Sequence, residues 1–191
     1  MQANILAEAG VPLGKLEAVG FAMETVGRRL LRFGGVDVNT AIGSLEEQLP
    51  RIGGQIDSAV IGDIPAWEDG SMHIMVVKSD LGASDARLNF CYGRSRYASG
   101  NFIVSAARLN EEEIIGATVH EAGHAVGLVS SDMPQYDGNS SFDGHCVHEC
   151  VMQAVNTLEE MRRATRHVLG NMAVAGFCDD CDSHLQKVHL A

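Results

Sequence analysis

A chain of 191 residues can hold one domain with a real core, or at most two small lobes, and 46% hydrophobic with 20% charged residues is the composition expected of a soluble, globular protein. The net charge of −11 argues against a nucleic-acid partner, because phosphate binding needs a basic face, and weighs against anionic membranes. No stretch is apolar for long enough to span a bilayer, and MQANILAEAG lacks a basic region followed by an apolar run, so the expected location is cytoplasmic.

Taken in chain order, the first third has the pattern of an α/β scaffold. NILA (4–7) suits a short strand. Pro12 to Arg32 carries Leu13, Leu16, Val19, Phe21, Met23, Val26, Leu30 and Leu31 at helical spacing. FGGVDVNT (33–40) predicts a turn and a strand, and SLEEQLPRIGGQ (44–55) a short helix broken at Pro50 and Gly53. SMHIMVVKSDL (71–81) is the clearest strand, and ARLNFCYG (86–93) and NFIVSAARL (101–109) predict two more, separated by GRSRYASG.

From Asn110 the period changes to that of a helix. Asn110 is a good N-cap, and Glu111, Glu112 and Glu113 lie where the helix dipole favours negative charge. Ile114, Ile115, Ala117, Val119, Ala122 and Val126 can supply buried contacts, and Gly127 can turn the chain away at the end. Residues 128–144, rich in Ser, Asp, Gly and Asn, predict a long loop. Thr157 to Met172 is helical again, with Leu158, Met161, Thr165, Val168 and Met172 on one side. There is no internal repeat and no low-complexity segment.

The chemistry concentrates in HEAGHAVG, 120–127. His120 and His124 are four residues apart, so a helix places both imidazoles on one face, one turn apart, able to grip one cation. Glu121 points to a neighbouring sector, from which it can reach a water bound to that cation and take its proton. A third ligand three residues after the glycine would be Ser130, a poor one. Asp132 and His148 are candidates from elsewhere in the chain. Cys146, Cys150, Cys178 and Cys181 form a C-x3-C and a C-x2-C pair, a donor set that suits a tetrahedral structural zinc; disulfides, or a redox dithiol at Cys178 and Cys181, are the competing readings. Cys91 suits a buried strand position. His73, His167, His184 and His189 suit surface or packing roles, and Asp179, Asp180 and Asp182 a solvated acidic edge.

VHEAGHAVGL, then HC, CVM and CDDC, resemble the archaemetzincins, a family of the metzincin clan of zinc peptidases, in kind and in order. SDL, FCYGRS and IVSAARL resemble the family's strand segments near its cleft, and the likeness covers about Met72 to Cys181. In that family a zinc-binding histidine is followed directly by a cysteine, which here is His145 before Cys146, displaced by an insertion at 128–144. The resemblance implies an α/β (α+β), zincin/metzincin-like fold. A twisted mixed sheet with packed helices (about 1–127) would be followed by a small C-terminal subdomain (about 128–191) stapled by a structural zinc. It implies two Zn2+ per chain: a catalytic one on His120, His124 and His145, with Glu121 as general base, and a structural one on the four cysteines. Met152 would be the methionine beneath the metal. An edge strand near Leu88 to Gly93 would take an extended peptide, and Met133 and Tyr136 of the insertion could touch it.

Two functions are therefore expected. One is a zinc-dependent metallopeptidase acting on a peptide or small protein, with no nucleic-acid or membrane partner; the other is a catalytically vestigial, zinc-stabilised binding or regulatory protein, motivated by Ser130 and the insertion. Sequence leaves the oligomeric state open.

Overall fold

The computed structural model describes residues 2–30, 37–43, 49–63, 71–85, 88–138 and 144–188. β1 (Gln2–Glu8), α1 (Leu13–Leu30) and β2 (Asp37–Gly43) open the chain. A hairpin of β3 (Arg51–Ile52) and β4 (Gln55–Asp57), then a 3₁₀ turn at Ser58–Gly62, precede β5 (Met72–Val77) and β6 (Leu81–Ala83). β7 (Leu88–Cys91), β8 (Gly93–Ser95) and β9 (Asn101–Ser105) lead into α2 (Glu111–Ala125). Two short strands, β10 (Tyr136–Asp137) and β11 (His145–Cys146), then α3 (Leu158–Gly170) and α4 (Asp179–Val188), complete it.

The main sheet has the order β2-β1-β5-β9-β8. Its first four strands are parallel and β8 runs antiparallel to β9 at the edge. Alternate residues of β5 divide its two faces. Met72, Ile74 and Val76 join the large core with α1 and α2, while Met75 and Val77 join a second cluster with Ile56, Ile61, Leu81 and Ile103. Burial on both faces explains why this strand is a continuous apolar run rather than an alternating one. The large core reaches from Ala3 on β1 to Leu185 on α4.

The expected helix at 44–55 is corrected where it is described. Residues 44–48 lie outside the described residues, and Arg51 to Asp57 is an antiparallel hairpin in a second sheet of order β3-β4-β6-β7. Gly53 and Gly54 have φ of +55° and +87°, the pair of positive angles that a two-residue hairpin turn demands and glycine supplies without strain. Of the acidic residues after Cys178, all in the first turn of α4, Asp179 and Asp180 are exposed as expected, whereas Asp182 is corrected: it forms a two-pronged ion pair with Arg29 of α1.

α2 is the central element, buried from Glu113 to Ala125 and packed against α1, α3, β8 and β9. Its start is set as the sequence predicts. The Asn110 side chain accepts from Glu113 N–H at 2.8 Å, and the Glu113 carboxylate accepts from Asn110 N–H at 2.8 Å and from Arg162 at 2.8 Å. Its end is a Schellman motif: Gly127, at φ +90°, donates to His124 O (2.9 Å), and Leu128 donates to Gly123 O (2.9 Å). Asn110→Ala is expected to lower unfolding stability by about 1 kcal/mol, measured by urea denaturation; an unchanged midpoint would mean that the tertiary packing of α2 alone defines its start.

Candidate metal centre

His120 and His124 leave the same face of α2, and β11 brings His145 to meet them. The ring centroids are 4.9 Å (120–124), 5.2 Å (120–145) and 5.1 Å (124–145) apart. One nitrogen from each ring lies within 4.8 Å of the other two. The Nδ1–H of His120 donates to Val151 O at 2.7 Å. A carbonyl only accepts, so Nδ1 carries the proton and Nε2 keeps its lone pair for a metal. Neither nitrogen of His124 makes a hydrogen bond of good geometry, although the ring is only 3% exposed and the Leu128 backbone lies nearby. A buried imidazole without a well-formed hydrogen bond is costly, and a cation on one of its nitrogens would offset that cost.

Burial drives all three histidines toward the neutral form in which imidazole is a ligand. It lowers His120; it lowers His124 further, with help from His120 and His145 and only partly offset by the Leu128 backbone; and, with His120, it brings His145 down to about 3.

Glu121 lies in the same cleft, a cavity of about 330 Å³. A Cβ on residue 93 would come within 2.6 Å of Glu121 Cγ and 2.9 Å of Oε1, so the glycine of β8 makes room for this carboxylate. Phe90, Tyr92, Val155 and Met161 give the cleft an apolar wall. The rim differs from the expected 88–93 strand. β7 belongs to the second sheet, and the edge strand of the main sheet at the cleft is Gly93–Ser95. The chain changes sheets at Tyr92, whose carbonyl accepts from Ser105 N–H at 2.8 Å.

Met152 lies beneath α2, its sulfur occupying the space a side chain at Gly123 would need. Ser130 and Asp132 hydrogen-bond each other, and that contact first of all holds the Asp132 carboxyl below its usual range. His148 pairs with Asp180 at 3.0 Å. None of the three joins the histidine group. Part of the predicted loop is ordered as β10, which pairs with β11 in the register Tyr136↔Cys146 and Asp137↔His145. Met133 is buried in the core and the Tyr136 ring covers Gly144, so neither lines the cleft as expected.

Cys146, Cys150, Cys178 and Cys181 offer sulfurs within 4.8 Å of one another, and none is in a disulfide. The Cys146 and Cys178 sulfurs are 3.8 Å apart. A tetrahedron with metal–sulfur bonds of about 2.3 Å has edges of about 3.8 Å, whereas a disulfide needs about 2.05 Å. The sulfurs share protons: Cys150 pushes the Cys146 thiol up, and Cys146 pulls that of Cys178 down. Gln135, 2% exposed, points its amide N–H toward Cys181 Sγ at 4.0 Å. Nothing in the sequence singles out Gln135, Gly93 or Val151, because their roles arise from contacts distant along the chain. His73, which bonds Ser71 at 2.7 Å, and His167, 3.9 Å from Glu149, lie outside the histidine group; His189 is outside the described residues.

No protein-family model and no curated protein matches the chain. Solved structures do. The archaemetzincin of Methanopyrus kandleri aligns with a TM-score of 0.72 at 24% identity, over 100% of this chain and 96% of that one. The archaemetzincin of Archaeoglobus fulgidus, solved with malonate, aligns at 0.68 and 19%, over 96% and 99%. A zinc-dependent peptidase from Methanocorpusculum labreanum aligns at 0.59 and 19%, over 96% and 99%. The fold is archaemetzincin-like, as the motifs imply.

Cys91 borders the cleft but is held inert. Burial pushes its thiol up to about 11 against a partial opposing pull from the Ser58 hydroxyl, to which it donates at 3.6 Å. Its alkylation by iodoacetamide at pH 7.5, followed by mass spectrometry, is expected to run roughly two orders of magnitude slower than that of a free cysteine; labelling at the free rate would refute the burial argument.

Proposed function

We propose that the chain is a zinc-dependent metallopeptidase that hydrolyses peptide bonds with Glu121 as general base. The observation that carries this reading is the convergence of the His120, His124 and His145 rings, one nitrogen of each within 4.8 Å of the others, in a cleft they share with Glu121. The archaemetzincin-like fold supports it. Two zinc ions per chain fit the donors present, one on the three histidines and one on the four cysteines.

His120, His124 and His145 would hold the zinc, which would supply Lewis acidity toward a water and the scissile carbonyl. Glu121 accepts the proton of the attacking water and carries it to the leaving nitrogen. Gly93 keeps that carboxylate's approach open. The Val151 carbonyl holds the His120 ring in one orientation and one tautomer. Met152 is a packing base and takes no part in the chemistry. The substrate is a peptide or small protein, bound extended along β8, whose position at the sheet edge suits strand addition. Neither nucleic acid nor a membrane enters this reading, in keeping with the net charge of −11, and no described helix is long and apolar enough to cross a membrane. The free thiols suit the reducing cytoplasm.

Zinc analysis is expected to find two ions per chain, falling to one in His145→Ala. Glu121→Gln is expected to keep both and lose about 10²–10⁴-fold in hydrolysis of a quenched-fluorescence peptide library. Unchanged hydrolysis in Glu121→Gln would sink the proposed mechanism.

A further inference from the structure

The segment 144–152 serves both donor groups. His145 and Cys146 are consecutive on β11, and consecutive side chains of a strand leave on opposite sides, so one peptide unit carries a ligand of each group. Four residues on, Cys150 returns to the cysteine group, the Val151 carbonyl orients His120, and Met152 fills the space at Gly123. The backbone binds this turn to the rest of the cysteine group. Cys146 N–H donates to Met152 O at 2.9 Å, and Val151 N–H donates to Gly176 O at 3.1 Å, two residues before Cys178. Val147 N–H donates to Gln135 O at 2.9 Å, and the Gln135 amide faces Cys181.

The two ends of the turn are also held by packing, with Cys146, Val151 and Met152 buried in the core and β11 paired to β10. Val147, His148 and Glu149 are exposed, and β11 is only two residues long. The four sulfurs, brought together by two distant parts of the chain, are what could tie the exposed middle of the turn, between Cys146 and Cys150, to the segment that carries Cys178 and Cys181. A cation bound to them would make them a rigid tetrahedron. The state of the cysteine group therefore decides how well His145, Val151 O and Met152 are placed.

Resting on the metallopeptidase reading, we propose that the two groups bind metal cooperatively. Loading the cysteine group preorganises the histidine group and raises its affinity. By thermodynamic reciprocity, loading the histidine group tightens the cysteine group by the same factor. Val151 is thus a positioning residue acting through its carbonyl, and the cysteine group regulates a centre with which it shares no ligand.

The test uses zinc and a chromophoric chelator in competition on the full chain. The histidine group is expected to bind zinc at least tenfold more weakly in Cys181→Ser than in the unsubstituted chain, with circular dichroism confirming the fold. The reciprocal arm uses His124→Ala, which empties the histidine group from α2 and leaves 144–152 and all four cysteines intact. There the cysteine group, followed by the thiolate-to-cobalt absorption after cobalt replacement, is expected to weaken by a matching factor. If Cys181→Ser does not fold, the reciprocal arm decides. Two zincs bound with affinities independent of each other overturn the coupling alone. A chain that takes zinc only on its cysteines overturns the metallopeptidase reading and the coupling together.

Discussion

The close approach of the 145–152 segment to α2 is the constraint from which the centre follows. Glycine at 123 accommodates it, since the Met152 sulfur fills the volume that a Cβ there would claim. From that contact the Val151 carbonyl falls within 2.7 Å of His120 Nδ1, and His145 within reach of both helical histidines. The two small residues flanking this point in H-E-A-G-H-A, Ala122 and Ala125, belong to the core, so small size is used on more than one side of the helix. On the cleft side Gly93 does for Glu121 what Gly123 does for Met152. A carboxylate and a thioether are each admitted by a missing Cβ.

The electrostatics of the centre have one consistent sense. Burial leaves three imidazoles neutral and holds a carboxylate, 8% exposed, beside them. Burying an anion among neutral groups is costly, and a cation at the convergence of the three rings offsets that cost. Nearby, four sulfurs cannot all ionise without a cation for the same reason. Both donor sets are thus arrangements that a protein would not hold together for packing alone.

Much of the centre was legible in sequence because its signals are local. His120, Glu121 and His124 lie within five residues, and the Asn110–Glu113 capping box and Gly127 mark where their helix begins and ends. His145 was legible only through Cys146, because a loop gives no register from which to count. What failed was non-local or ambiguous. SLEEQLPRIGGQ has a helical beginning, but Gly53-Gly54 demands a hairpin turn and the partner strand, β6, begins near residue 81. Asp182 has no local sign of its partner, since Arg29 is far away in sequence. The change of sheet at Tyr92 splits what sequence presents as a single strand.

The position of His145 becomes intelligible once β10 is seen. An insertion in a free loop would leave His145 unplaced, because a longer chain has more ways to return. Here Tyr136 and Asp137 pair back onto Cys146 and His145, so the base of the excursion is fixed by a ladder whatever lies at its tip. Gly138 and Gly144 flank the Tyr136 ring, which covers the space their side chains would occupy and secures the register from the side. The period of a strand is two, so a slip of one residue at this ladder would carry His145 to the cysteines and Cys146 to the histidines. Length beyond Gly138 is therefore cheap, but parity at 145–146 is not. The two donor groups depend on that single register, which holds His145 and Cys146 in place whatever the length of the loop beyond Gly138.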